Sequence, residues 1–397
     1  MDVTAAAGAP ARPLAVLGGH VVADDHAVRP RDLLLIDGRI RTLPAGRRPP
    51  AGVETLDATG CVVAPGFIDT HVHGALGHNF MDATGLAAIS GHLLRHGVTA
   101  CLAATATTDP ARQRSSLAAL AAATGRLAPG GAELLGVHLE GPFLSPAHAG
   151  VHRRAHLRNP TPAEISGLLD AAAGRLRVVT LAPELPGGAE AVTQLAEAGV
   201  TVSLGHSGAT DADVREAVRL GVTRATHLFN GMPPMHHREP GPVPALLTDP
   251  RVRVELVADG RHVADRMLQL AVAAAGPDRA MLVSDGADVS GLADGAYTRW
   301  EGTRVSLRGT HVSRAGGGVA GSGAGIDAGV RRLVHHCGVP AGEALHMASA
   351  VPAASLGLTD RGTTADGAVA DLVVLDRLRV RHTLVSGALA YSEENHP

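Results

Sequence analysis

Short apolar runs recur through the middle of the chain, at residues 61–69, 98–103, 134–139, 176–181, 200–204, 223–228, 252–258 and 280–284. Each is bounded by turn residues, and Ala/Leu-rich stretches with helical spacing lie between them, as at 112–127, 162–173 and 211–220. Apolar runs of this length read as strands buried on both faces. Eight of them alternating with helices predict a (β/α)8 TIM-like barrel rather than an open sheet. The two ends of the chain read differently. Leu33-Leu34-Leu35-Ile36 followed by Asp37-Gly38 is a strand entering a hairpin turn, and residues 370–376 and 383–385 are strand-like in the same way. The expectation is an α/β chain with a small β-sandwich domain built from both ends, 1–60 and 360–397, around a barrel at 61–359. Gly316-Gly317-Gly318 and the following Ala320-Gly321-Ser322 predict a flexible loop able to act as a lid.

Composition narrows the function classes. The 397 residues are 45% hydrophobic and 18% charged, so the chain is globular and long enough for a large core. A net charge of −3 with 2% aromatics gives no basic surface and no stacking platform, so neither nucleic acid nor membrane is expected as a partner. No apolar run approaches the roughly 20 residues of a membrane span. The first twenty residues, with Asp2 and Arg12, lack a signal pattern, and Cys61, Cys101 and Cys337 are too scattered for a disulfide framework. A reducing cytoplasm is the expected location. There is no lysine, so a site built on a Schiff base or a carbamylated lysine is excluded.

Chemistry-bearing residues gather at one end of the strand runs. Side chains at i and i+2 share a face of a strand, so His71 and His73 project side by side from the first run. Glu140 follows the third run, His206 the fifth, His227 ends the sixth and Asp285 the eighth. Active sites of such barrels sit where strands end, and these are the ligand types that zinc and related ions prefer. Any one of them has a bland reading as a turn or hydrogen-bonding residue. Six positions at equivalent points of five strands do not.

These residues lie in segments that resemble the amidohydrolase superfamily. Pro65-Gly66-Phe67-Ile68-Asp69-Thr70-His71-Val72-His73-Gly74 is similar to the superfamily as a whole. Val137-His138-Leu139-Glu140-Gly141-Pro142-Phe143, Gly205-His206-Ser207-Gly208-Ala209-Thr210 and Thr226-His227-Leu228-Phe229-Asn230 resemble its deacetylases of phosphorylated N-acetyl amino sugars. His236-His237-Arg238-Glu239-Pro240-Gly241 is the segment most specific to them. The resemblance implies hydrolysis of the acetamide of N-acetylglucosamine 6-phosphate to glucosamine 6-phosphate and acetate, or of its galactosamine epimer. It implies one or two divalent ions per subunit, with Zn2+ first and Fe2+, Mn2+ or Co2+ as alternatives. Glu140, His206 and His227 would hold the main ion, and His71 and His73 a second. Asp285 would be the catalytic acid and base. Val151 and His152 would contact the sugar or the amide carbonyl. Asn230, Gly231, Arg238 and His262 would hold the phosphate, and Val319, Ala320 and Gly321 would close over the substrate. Arg238 would act across the interface of a homodimer or higher homo-oligomer. Gly231 and Gly286 stand where alanine is usual in the family.

The residue types suit that chemistry independently. An amide is a poor electrophile and neutral water a poor nucleophile, so both must be activated. An aspartate can take a proton from water and return it to the leaving amine, and a neutral histidine can donate to the oxyanion. Arginine offers phosphate a fork of donors. His138 shares Glu140's face and is expected to support the ligands from behind. Asp69 and Asp288 are expected to be structural, and Cys101 a core residue. The rival class, a barrel that has lost its metal and its activity, is disfavoured by the complete set of Glu140, His206, His227 and Asp285.

Overall fold

The computed structural model describes residues 12–395. The expectation of no leader over the first twenty residues falls largely outside that range. Eight parallel strands run in chain order: Phe67–Val72, Val98–Thr105, Glu133–Glu140, Leu176–Leu181, Thr201–Leu204, Val222–Ala225, Arg253–Leu256 and Ala280–Leu282, hereafter barrel strands one to eight. The edges meet through a parallel bridge between Val72 and Gly286, with Asp285 N donating to His71 O at 2.9 Å and His73 N to Gly286 O at 2.8 Å. Strands one and two are buried along their whole length, as expected where helices cover the outside and side chains fill the inside.

Local sequence sets the helices that space these strands. Asp211–Leu220 begins with a capping box in which Thr210 and Asp213 satisfy each other's backbone, and ends at Gly221. Pro110–Ala123 starts with Asp109 accepting from the backbone of Ala111 and Arg112. No helix among the described residues is long and apolar enough to cross a membrane.

The chain ends form two further sheets. One joins Leu14–Leu17, Asp32–Ile36, Arg39–Leu43 and Glu54–Asp57; the other joins His20–Val22, Val28–Pro30, Val62–Pro65 and three C-terminal strands, Leu372–Asp376, Arg379–Val385 and Ala388–Ser392. Val16, Leu33 and Ile40 from one sheet and Val63, Leu372 and Val374 from the other pack in one buried cluster, so the two sheets make a sandwich. The hairpin at Asp37-Gly38 has both turn residues at positive φ, 53° and 72°, the geometry of a tight two-residue turn.

Two sequence expectations change. The run at 61–69 is two strands, not one: Val62–Pro65 belongs to the terminal sheet and Phe67–Val72 opens the barrel. Gly66 lies between them, where an added Cβ would come within 2.3 Å of Thr99 Oγ1. The glycine-rich segment near 316–322 is also not a loop throughout. Val319–Ser322 is a strand of a four-stranded antiparallel sheet, pinned to the barrel by Ser322 N donating to Asp285 O at 2.7 Å.

Candidate active site and metal centre

Three ligand atoms converge at the C-terminal rim of the barrel. His227 Nε2 lies 3.0 Å from Glu140 Oε1 and 3.1 Å from His206 Nε2, and His206 Nε2 lies 3.3 Å from Glu140 Oε1. The edge of a tetrahedron with metal–ligand bonds of 2.0–2.1 Å is about 3.3 Å, so this triangle fits a divalent ion. His206 Nδ1 approaches the carbonyl of His148 at 2.7 Å, which fixes its proton there and leaves a bare lone pair on Nε2. The backbone is held for this purpose. His206, His227 and Asp285 all have positive φ (49°, 28° and 49°), a conformation costing non-glycine residues roughly 1–3 kcal/mol each. Bonds from Ser145 N to His206 O, from His227 N to Glu255 Oε2 and from Asp285 N to His71 O lock the three turns.

A second set adjoins the first. His71 Nε2, His73 Nε2 and an Asp285 oxygen lie within 4.8 Å of one another. His73 Nε2 is 3.4 Å from both Glu140 Oε2 and Asp285 Oδ1, so Glu140 stands between the two positions. His71 is wholly buried, and its Nε2 has no hydrogen-bond partner among the described residues, which is costly unless an ion uses it. Without lysine, Glu140 would be the bridging group if two ions were bound.

A carboxylate and a histidine support these ligands from behind. Glu255, inside barrel strand seven, accepts from Arg224 Nε at 2.8 Å and receives His71 Nδ1 at 3.0 Å and the backbone N–H of His227 at 2.9 Å. Burial raises its carboxyl, but the Arg224 guanidinium and His71 outweigh that and hold it well below the usual range. His138 supports the ligands as expected, packing edge-on against His71 at 4.5 Å with Nδ1 on Thr70 O and Nε2 on Thr180 Oγ1.

Asp285 is the second centre. Burial raises its carboxyl, yet hydrogen bonds from His262 and His73 and the charge of His71 hold it well below the usual range, so it is ionised. His262 places Nε2 3.1 Å from Asp285 Oδ2 and Nδ1 2.8 Å from Asp259 Oδ2. Burial lowers the His262 pKa, but the two carboxylates more than reverse this and raise it to about 9, so the ring is a cation between two anions. His152 is the opposite case. Burial, only partly offset by Glu140, lowers its pKa to about 4. Its Nδ1 accepts from Thr107 N–H at 3.3 Å, so the neutral ring carries its proton on Nε2, 3.2 Å from Glu140 Oε2. His152 is thus placed as a donor at the site, and with Glu140 and His206 it also forms a set close enough to hold an ion.

One cavity unites these groups. His73, Glu140, Val151, His152, His206 and His227 line it, as do Asn230, Gly231, His262, Asp285, Val319 and Gly321. Gly231 has φ of 63°, and a Cβ there would come within 2.8 Å of His206 Nδ1, so glycine keeps the loop close to the ligand. Ala320 faces away, as strand alternation requires, into a small cluster with Ala287 and Val312. Arg238 is exposed, 2.7 Å from His237 Nε2, and does not line the cavity of its own chain. Sequence reading missed Glu255, Arg224 and Asp259. The available signal was a charge at an inward position of an apolar strand run, or just beyond its end.

Burial of neutral His138 has a measurable consequence. Its pKa falls from the ordinary 6.5 to about 3, through burial first and the charge of His71 second. Between those values the unfolded chain binds a proton that the folded chain does not, so stability falls as pH falls, by about 1.4 kcal/mol per pH unit. His138→Gln is expected to make the plot of unfolding free energy against pH shallower by about that slope between about pH 6 and 4. Equal slopes would mean that the folded protein protonates His138.

The fold and this rim define a metal-assisted hydrolase of the barrel type. The chain belongs to the amidohydrolase family, whose profile matches residues 62–392, and it is an enzyme acting on an amide. It is 38% identical over 371 residues to N-acetylgalactosamine-6-phosphate deacetylase of Escherichia coli O157:H7, covering 92% of this chain and 95% of that one. It is 38% identical over 357 residues to the human N-acetylglucosamine-6-phosphate deacetylase, covering 86% of each. Among solved structures, an Asp-to-Ala variant of the Mycobacterium smegmatis N-acetyl-D-glucosamine-6-phosphate deacetylase, in complex with N-acetyl-D-glucosamine-6-phosphate, superposes with a TM-score of 0.88 at 36% identity. It covers 96% of this chain and 100% of that one.

Proposed function

We propose that this protein hydrolyses the acetamide of an N-acetyl amino sugar 6-phosphate, with N-acetylglucosamine 6-phosphate as the leading substrate. The observation that carries the reading is the convergence of Glu140, His206 and His227 beside ionised Asp285 and the donor His152 in one cavity. The names of the relatives supply the substrate class. The 38% identity to the relative named for N-acetylgalactosamine 6-phosphate favours a second reading, the galacto epimer.

Glu140, His206 and His227 would hold one divalent ion, with zinc the first choice for a nitrogen-rich set, and His71, His73 and Asp285 a second. Such an ion supplies Lewis acidity that activates water and polarises the amide carbonyl. Asp285 accepts the proton of the attacking water and passes it to the departing amine. His262, expected at the phosphate, is instead held between Asp259 and Asp285, and it keeps the Asp285 carboxylate turned toward His73. His152 donates Nε2–H to the carbonyl oxygen as negative charge develops there. Asn230 and the backbone of Gly231 lie at the phosphate end, and Arg238 of the partner subunit would complete that site in a closed homodimer. A cytoplasmic location suits a free phosphorylated sugar and buried free cysteines.

The test is acetate release from the two 6-phosphate epimers and from N-acetylglucosamine without phosphate. The expected order is a phosphorylated epimer far above the unphosphorylated sugar, with Arg238→Ala raising KM for the former. Equal activity on the sugar lacking phosphate would contradict the phosphate site.

A further inference from the structure

A wall of the catalytic cavity remains without a role. The hairpin after barrel strand eight, Gly295–Thr298 paired with Arg304–Arg308, carries Arg299, Trp300 and Glu301 at its turn, and all three line the cavity. The turn is held firmly. Arg299 Nε donates to Asp288 Oδ1 at 2.8 Å, and Arg299 N to Thr303 O at 2.9 Å. The Arg112 guanidinium lies 4.7 Å from the Trp300 ring centre while bonding Asp82 Oδ1 at 2.9 Å.

Two polar atoms on this wall are buried and have no hydrogen-bond partner among the described residues: Glu301 Oε2 and Thr107 Oγ1. Glu301 Oε1 is 3.7 Å from Arg299 Nε, too far for a hydrogen bond, and the Glu301 side chain is only 11% exposed. Both residues also line an adjoining recess with Arg153 and Trp300. A buried oxygen with no partner is costly, and two on one wall of a binding cavity point to a ligand group that serves both. A hydroxyl does so, donating to the carboxyl oxygen and bonding the threonine hydroxyl. The Trp300 ring supplies a rigid apolar face beside it.

The barrel says which hydroxyl. Thr107 follows strand two and Asn230 follows strand six, on opposite sides of an eight-stranded rim. With the acetamide of C2 at the metal ligands and the phosphate of C6 toward Asn230, the carbons flanking C2 turn toward Thr107. We propose that Glu301 and Thr107 bind the hydroxyl next to the acetamide, with Trp300 covering the sugar, and so make the turn at 299–301 a specificity determinant. This rests on the substrate class and the phosphate site proposed above.

The experiment compares kcat/KM of the parent enzyme, Glu301→Ala and Glu301→Gln on N-acetylglucosamine 6-phosphate and its 1-deoxy and 3-deoxy analogues, with thermal melts to confirm folding. A hydrogen bond to a charged group predicts that the parent enzyme disfavours one analogue by about 10- to 100-fold. Glu301→Ala should lose a similar factor on the full substrate and several-fold less on that analogue, with Glu301→Gln between. The sensitive analogue identifies the anomeric or the C3 hydroxyl. A parent enzyme that hydrolyses both analogues as well as the full substrate overturns the proposal. So does a Glu301→Ala penalty equal on all three. If the parent enzyme releases no acetate from either 6-phosphate epimer, it is the substrate class that fails, and the proposal with it.

Discussion

Replacing Asp285 with asparagine is expected to lower kcat by about 100- to 10,000-fold, the usual worth of a positioned acid or base. Asparagine keeps the size of the side chain and an oxygen to receive His262, so the ion at Glu140, His206 and His227 and KM should change far less. The carboxylate is ionised because His262, His73 and His71 surround it despite its burial. The variant therefore removes a group held in its proton-accepting form. A near-normal kcat would show that proton transfer runs through another group.

The largest effect on stability is expected at Glu255, which touches no substrate. Glu255→Ala leaves the Arg224 guanidinium, itself 1% exposed, without its carboxylate, and breaking a buried pair in this way costs about 3–5 kcal/mol. It also frees His71 Nδ1 and the backbone N–H of His227, so metal affinity should fall by about 10- to 100-fold. Denaturant unfolding and a metal titration read the two effects separately. Replacing both members of the pair by apolar residues should cost less stability than Glu255→Ala alone while losing the same metal affinity. If Glu255→Ala unfolds at the parent's denaturant midpoint, the pair is not what braces the barrel interior.

The barrel and its rim were legible because the signal repeats. Six ligand-type residues at strand ends reinforce one another, although each alone is ambiguous among 22 histidines. The layer behind them was less legible for a physical reason. Arg224 and Glu255 sit within or beside apolar strand runs, where a charge reads as interruption until the closed sheet brings Thr70, His71 and His227 around it. The resemblance implies that Val319, Ala320 and Gly321 close over the substrate together, whereas alternation in a strand sends only Val319 and Gly321 to the cavity. Arg299, Trp300 and Glu301 lie on a turn with no periodicity, so nothing in the chain announces that they close the cavity wall.

The central claim is that Glu140, His206 and His227 hold an ion on which amide hydrolysis depends. The direct measurement is acetate released from N-acetylglucosamine 6-phosphate by chelator-stripped protein as a divalent metal is added back. Activity should be absent in the stripped protein and rise in step with bound metal until the first site is full. His206→Ala should bind less metal and recover little. Turnover by metal-free protein, or full metal occupancy with no acetate from either 6-phosphate epimer, would contradict the account.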